Sequence, residues 1–179
     1  MGAALALALA ACTGVPEGVS PVRFDPDRYL GTWYEIARLD HRFQRGDVAA
    51  TATYALNPDG TIAVTNRGWR PDGTERSVTG RARFLGPRDV ASLAVTFRWP
   101  FEGGYHVIRL DPDYRIALVS GPTRDYLWLL SRTPTLPEAG GAGVARLCGC
   151  ARLPRRAHHP LAAASRLRAR ACRGAGEAA

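Results

Sequence analysis

Residues 31 to 132 form a succession of short β-branched, aromatic and aliphatic runs, separated by turn sequences rich in Gly, Pro, Asn and Asp. This spacing is typical of an antiparallel all-β sandwich or barrel. Eight strands are predicted, over 32–39, 48–56, 61–69, 76–85, 91–99, 104–110, 114–120 and 126–132. Because the connections are short, neighbouring strands should pair in sequence order. The pattern predicts an eight-stranded antiparallel up-and-down barrel, which removes the sheet edges and leaves room for one small ligand.

The alternation of apolar and polar positions predicts which side chains face the interior of this barrel. In the fifth strand Leu93, Val95, Phe97 and Trp99 share one face and are expected inside, whereas Arg98 faces water. The eighth strand is ambiguous, because both of its faces are apolar. Its two candidate sets are Tyr126, Trp128, Leu130 and Arg132 on one face, and Leu127, Leu129 and Ser131 on the other.

The segments before the barrel resemble an export signal and a tether. Residues 1–11 are an Ala/Leu run too short to span a bilayer, and Leu9-Ala10-Ala11-Cys12 resembles a bacterial lipobox. That resemblance implies a lipid on Cys12, with Thr13 behind it favouring the outer membrane; the alternative is an ordinary secretory signal with an incidental cysteine. Residues 13–22 read as a linker, and Asp25 before Pro26 predicts a short 3₁₀-like turn.

The formal charge of +8 over 179 residues is unevenly distributed. Residues 1–139 hold 16 Arg and 15 acidic residues, a balance of +1, whereas residues 140–179 hold eight Arg and one Glu, a balance of +7. The barrel is therefore nearly neutral, and its composition argues against nucleic-acid binding. No cysteine lies between residues 13 and 147, so the barrel has neither an internal disulfide nor a thiol nucleophile.

Three segments together carry a family resemblance. The first segment runs from Gly31-Thr32-Trp33-Tyr34 to Phe43. The second runs from Asp113-Tyr114-Arg115 to Pro122, and the third from Tyr126-Leu127-Trp128 to Pro134. Their order and spacing resemble those of the bacterial outer-membrane lipocalins, relatives of apolipoprotein D. The resemblance covers residues 24–139 and implies a barrel closed at one end, open at the other, that holds a hydrophobic ligand.

The resemblance also implies roles for particular residues. Arg132 packs across the indole of Trp33 at the closed end, which turns Tyr126, Trp128 and Leu130 inward. The expected ligand pocket consists of Trp128, Phe97, Val95, Tyr126 and Trp99, with Asn66 and Tyr105 as polar contacts. The loop from 40 to 47 would overhang the open end, with Phe43 as a lid and Arg42 or Arg45 meeting an anionic head group. A solvated loop is the alternative.

These expectations combine into a lipid-anchored protein of the outer membrane that faces the periplasm and stores or carries a fatty acid or lysophospholipid. The alternative is a structural or stress-related envelope lipoprotein whose barrel is filled by its own side chains. No catalytic grouping, cofactor motif or metal-ligand spacing stands out, and His41 and His106 are expected at the surface or rim. A homodimer is left open.

The chain changes character after the barrel. The resemblance implies an amphipathic helix here, but Gly140-Gly141-Ala142-Gly143 does not sustain one, and the Arg/Ala-rich sequence that follows contains Cys148, Cys150 and Cys172. Three interpretations compete: a basic membrane- or nucleic-acid-binding arm, a Cys/His metal site, and a frameshift near codon 140. The frameshift is preferred, because charge, cysteine content and periodicity all change at one point.

The frameshift hypothesis makes a prediction about the gene. Translating the other reading frames downstream of codon 140 should yield an amphipathic helix followed by a further strand. If neither alternative frame yields such a helix, residues 140–179 are the native ending of the chain.

Overall fold

The computed structural model describes residues 13–41 and 44–136. The signal segment with Cys12, the lid residues Arg42 and Phe43, and the chain from residue 137 onward lie outside the described residues, so the predictions made for them stay predictions. Within the described part, no helix is long and apolar enough to cross a membrane.

Eight strands close into one antiparallel barrel in sequence order, as predicted. They are β1 (Gly31–Arg38), β2 (Ala49–Leu56), β3 (Ile62–Trp69), β4 (Glu75–Phe84), β5 (Ser92–Arg98), β6 (Phe101–Leu110), β7 (Ile116–Ser120) and β8 (Leu127–Ser131). The barrel closes where β1 pairs with β8, with Tyr34 opposite Ser131 and Arg38 opposite Trp128. Closure satisfies the backbone hydrogen bonds that an open sheet would leave at its edges.

A single helical turn, α1 (Pro26–Tyr29), precedes β1. The side chain of Asp25 caps it by accepting a hydrogen bond from the backbone N–H of Asp27 at 3.0 Å, and Pro26 fills the first helical position. The turn lies where the sequence predicts it but has α rather than 3₁₀ geometry. It sits under the end of the barrel at which β1 begins, here called the base.

Strand direction alternates around the barrel, so the connections that follow β1, β3, β5 and β7 lie at the opposite end, here called the mouth. The base is covered by α1 and its neighbours. The β5–β6 hairpin and the loop after β1 therefore belong to the mouth.

Two separate apolar clusters explain why β8 is apolar on both faces. Leu130 belongs to the interior cluster, together with Trp33 and Val119. Leu129 belongs to a second cluster outside the barrel, with Ile116 and Leu118. The inward face predicted for Leu130 is confirmed, and Trp128 packs against the same interior cluster.

Of the interior positions predicted for β5 beyond Val95, Trp99 is wrong. Phe97 keeps the inward direction, because a Cβ atom at Gly80, on the inner face of β4, would lie 2.7 Å from its ring. The pairing of β5 with β6 shifts register between Val95 and Arg98, and β5 ends there, so Trp99 lies in the turn of the hairpin. Phe97 is 40% exposed and Trp99 is 86% exposed. Both side chains lie at the rim of the mouth or beyond it.

The base of the barrel is closed by the contact between Trp33 and Arg132. The Arg132 guanidinium carbon lies 4.1 Å from the centre of the Trp33 ring, and Trp33 is fully buried. The same guanidinium donates hydrogen bonds to three backbone carbonyls, those of Arg28 at 2.8 Å, Thr32 at 3.1 Å and Tyr114 at 3.3 Å. One side chain thus joins α1, β1 and the segment that precedes β7.

We predict that Arg132→Lys lowers the free energy of unfolding by about 2 kcal/mol, because an ammonium cannot reach three separate carbonyls while it stacks on an indole. Thermal and denaturant unfolding measure the effect. The control is Arg67→Lys. Its ion pair with Glu75 spans 3.7 Å and is partly exposed to solvent, so the change should alter stability by less than about 0.5 kcal/mol. Equal stabilities for the two variants would contradict the role assigned to Arg132.

Candidate functional site

An apolar cavity lies on the base side of the barrel interior. Its volume is about 20 Å³, room for about one water molecule. It is lined by Phe24, Pro26, Tyr29, Leu30, Tyr54, Ile62, Ala82, Phe84, Leu93, Val95 and Tyr105. α1, its flanking residues and five of the eight strands contribute to these walls.

Three tyrosine hydroxyls meet in the wall of this cavity. The Tyr54 hydroxyl donates to the Tyr105 oxygen at 2.9 Å, and the hydroxyls of Tyr29 and Tyr105 lie 2.8 Å apart. Burial raises the pKa of Tyr54 to about 12 and raises the pKa of Tyr29 and Tyr105 as well, so all three phenols stay neutral near pH 7. The apolar cavity therefore contains one neutral, hydrogen-bonding patch.

Asn66 provides a second polar position inside the barrel. Asn66 follows the buried residues Ile62 and Val64 at every second position along β3, so its side chain lies on the same interior face. Its side-chain oxygen is buried and has no hydrogen-bond partner among the described residues. Such an oxygen can accept a hydrogen bond from a ligand, and satisfying it would recover the desolvation cost of the group.

The mouth is braced by a buried ion pair. Arg38 and Glu35 form a salt bridge with side chains only 9% and 6% exposed. Arg38 also donates to the backbone carbonyls of Gln44 and Asp47, each at 2.9 Å, and so holds the loop after β1 against the barrel. Because both side chains are removed from water, each charge is stabilised mainly by the other, and removing one would leave the second buried and unpaired.

Gln44 links this ion pair to the aromatic side chains of the mouth. Its amide donates to the Glu35 carboxylate at 2.7 Å and accepts from the Trp128 indole N–H at 2.9 Å. The Trp128 ring lies against Tyr126 and His41, with ring centres 6.0 and 5.2 Å away. Trp128 and Tyr126 therefore lie at the mouth and not in the wall of the cavity.

Both histidines are buried, which corrects the expectation that they are exposed at the surface. His41 is 7% exposed and His106 is 0% exposed. Desolvation lowers the pKa of both, with the charge of Arg38 adding to the effect on His41. His41 does lie at the mouth, but His106 is held in the wall by Ser92, whose hydroxyl oxygen is 3.0 Å from its Nδ1.

The seven residues predicted for the pocket are thus divided by the structure. Val95 and Tyr105 line the cavity, Asn66 lies on the interior face, Tyr126 and Trp128 lie at the mouth, and Phe97 and Trp99 are exposed. Arg45 of the predicted lid is also exposed, with its guanidinium 3.9 Å from the carboxylate of Asp40.

Of the tyrosine patch only Tyr105 is predicted from the sequence, and the Glu35–Arg38 brace of the mouth is not predicted. Tyr54 was detectable, because it occupies an inward position of β2 by alternation. Tyr29 lies before the first strand, where alternation does not apply. Glu35 and Arg38 were overlooked because charged residues are rarely buried, and only their mutual contact makes the burial tolerable.

We predict that Glu35→Gln lowers the free energy of unfolding by about 3 kcal/mol, because it leaves the buried charge of Arg38 unpaired. Chemical denaturation measures the loss. Glu75→Gln makes the same chemical change in the partly exposed pair with Arg67 and should cost less than about 1 kcal/mol. A Glu35→Gln protein as stable as Glu75→Gln would show that the buried pair does not brace the mouth.

Comparison with known proteins agrees with this architecture. Residues 24–145 match the lipocalin-like domain family. The chain is 58% identical over 125 residues to an outer membrane lipoprotein of Citrobacter freundii, covering 69% of this chain and 71% of that protein. The corresponding lipoprotein of Escherichia coli K12 is 57% identical with the same coverage.

Among solved structures, insecticyanin from the tobacco hornworm Manduca sexta superposes with a TM-score of 0.62 at 18% identity. The superposition covers 76% of this chain and 78% of insecticyanin, which shows a shared fold. The match over residues 24–145 and the 58% identity to the Citrobacter lipoprotein agree with the closed eight-stranded barrel. The chain therefore belongs to the lipocalin-like family.

Proposed function

We propose that the barrel binds a fatty acid or lysophospholipid in the bacterial envelope, storing or carrying it without chemical change. The observation that carries this proposal is the apolar cavity, with its patch of neutral hydroxyls, inside a closed barrel. The two named relatives are outer membrane lipoproteins, which supports a place in the same membrane. On this proposal a lipid on Cys12 anchors the chain and the barrel faces the periplasm.

Burial of an acyl chain would supply the affinity. A chain of about twelve carbons, at about 0.8 kcal/mol per buried methylene, gains roughly 10 kcal/mol before ordering costs, enough for micromolar binding. The cavity holds only about one water when empty, so side chains such as Phe84 and Tyr105 must rotate to admit the chain. Acyl chains and aromatic side chains are both apolar, so this exchange costs little solvation.

The polar groups inside the barrel suggest how a ligand is oriented. Asn66 offers a buried amide oxygen, which fits the glycerol hydroxyl of a lysophospholipid, and an amide N–H₂, which fits a carboxylate. It occupies β3 at the level of Val78, so its position is nearer to the mouth than that of Tyr54 and Ile62. The head group would then lie on the mouth side and the chain would point to the base.

The small cavity also favours a second candidate, a structural envelope lipoprotein whose barrel is filled by its own side chains. The two functions differ in one measurable respect, because a filled barrel has no saturable site for a lipid.

A titration of delipidated protein with a fluorescent fatty acid, followed by competition with lysophospholipid, decides between the two candidates. We expect a saturable signal that lysophospholipid displaces. Ala82→Leu should weaken binding by about tenfold or more, because Ala82 lines the cavity and the added branch fills it. Arg81→Leu places the same side chain one residue earlier, on the exposed outer face of β4, and should leave the affinity unchanged. No saturable signal in the parent protein would leave the structural candidate.

A further inference from the structure

The tip of the β5–β6 hairpin, residues 97–101, exposes more aromatic surface than any other part of the described chain. Trp99 is 86% exposed, Phe101 is 69% exposed and Phe97 is 40% exposed. Large aromatic side chains usually bury most of their surface, and a contiguous exposed set marks an interaction site. We call these five residues the hairpin tip.

The charges around the hairpin tip are compatible with a lipid surface. The carboxylate of Glu102 is neutralised by Arg83, whose Nε and Nη2 lie 3.0 and 2.6 Å from its two oxygens. Arg98, between the aromatic residues, is exposed. The tip therefore presents apolar rings beside a cation, which suits the boundary between acyl chains and anionic head groups.

The described residues Thr13 and Gly14 lie beside the same hairpin. His106 Nε2 donates to the carbonyl of Gly14 at 3.0 Å, and Thr13 is buried against β6. A Cβ atom at Gly104 would lie 3.1 Å from the Thr13 carbonyl oxygen, so the absent side chain allows this approach. Gly104 is three residues from Phe101, about 10 Å along a strand.

A second contact holds the segment that follows Thr13 near the mouth of the barrel. Arg124, in the loop between β7 and β8, donates through Nε to the carbonyl of Glu17 at 3.2 Å. The residue before Thr13 is Cys12, the proposed site of the lipid. Because Cys12 is bonded directly to Thr13, a lipid on it would be attached one residue from this contact with β6.

We propose that the hairpin tip docks on the bilayer surface next to the lipid anchor, and so holds the mouth of the barrel at the membrane. The inference rests on the proposed anchoring at Cys12 but not on the identity of the ligand. Trp99 and Phe101 enter the interface, and Arg98 meets anionic head groups. Docking would let an acyl chain pass between membrane and barrel without crossing bulk water.

Tryptophan quenching tests the contact in the full, membrane-purified protein reconstituted in phosphatidylethanolamine–phosphatidylglycerol vesicles. Lipids with brominated acyl chains should quench the fluorescence, and Trp99→Phe should remove most of that quenching. Trp69→Phe is the matched control, because Trp69 is only 6% exposed, and it should leave the quenching in place. Equal quenching in the parent protein and in Trp99→Phe would overturn the proposal.

Vesicle sedimentation of the full chain carrying Cys12→Ser, which cannot take the proposed lipid, provides the second readout, because the anchor would otherwise dominate partitioning. The double variant Trp99→Ser/Phe101→Ser should reduce the partition coefficient by about tenfold or more, since two large apolar surfaces leave the interface. Leu56→Ser/Leu85→Ser removes exposed apolar side chains at the base instead, 45% and 37% exposed, and should leave partitioning unchanged. Equal partitioning of the two double variants would overturn the docking.

The fatty-acid titration separates this inference from the proposed function. Because the side chains of Trp99 and Phe101 lie outside the cavity, the tip variant should bind fatty acid in solution as the parent does. Lost partitioning with retained binding supports docking, whereas lost binding with retained partitioning overturns docking without affecting the anchor.

Discussion

The contact between Arg132 and Trp33 is the constraint on which the rest of the barrel depends. A guanidinium held against an indole can occupy this position only if its N–H groups find acceptors, and carbonyls from three separate segments provide them. Those segments are the end of α1, the start of β1 and the approach to β7. Fixing them together closes the base, and a closed base makes the interior a cavity and not a channel.

Much of the fold could be predicted from local sequence. Turn chemistry and alternation define eight strands in sequence order, and the structure shows the same eight. Periodicity alone did not orient β8, because Leu129 and Leu130 both face apolar clusters, one outside and one inside the barrel. The family resemblance resolved this by pairing Arg132 with Trp33. A long-range contact thus supplied what a local pattern lacked.

The site was less accessible to such reasoning, because it depends on contacts between distant residues. Strict alternation places Trp99 inside, but β5 ends at Arg98 and Trp99 lies in the turn that follows, where that rule no longer applies. The hydroxyls of Tyr29 and Tyr105 meet across 76 positions of sequence. The burial of Glu35 becomes understandable only beside Arg38, and no single-residue preference predicts it.

The two strands that carry the hairpin tip, β5 and β6, also form part of the cavity wall. Gly103 lies on β6 two residues before Tyr105, and a Cβ atom there would meet nothing within 4 Å. Gly103 pairs with Val95, which lines the cavity. Open space therefore lies between the cavity wall and the hairpin tip, along the same pair of strands. An acyl chain that entered beside docked aromatic rings would meet apolar wall directly, whereas the opposite side of the mouth is held by Arg38, Glu35 and Gln44. The side held by the Glu35–Arg38 pair keeps the barrel in shape, and the hairpin side is where the proposed lipid would enter.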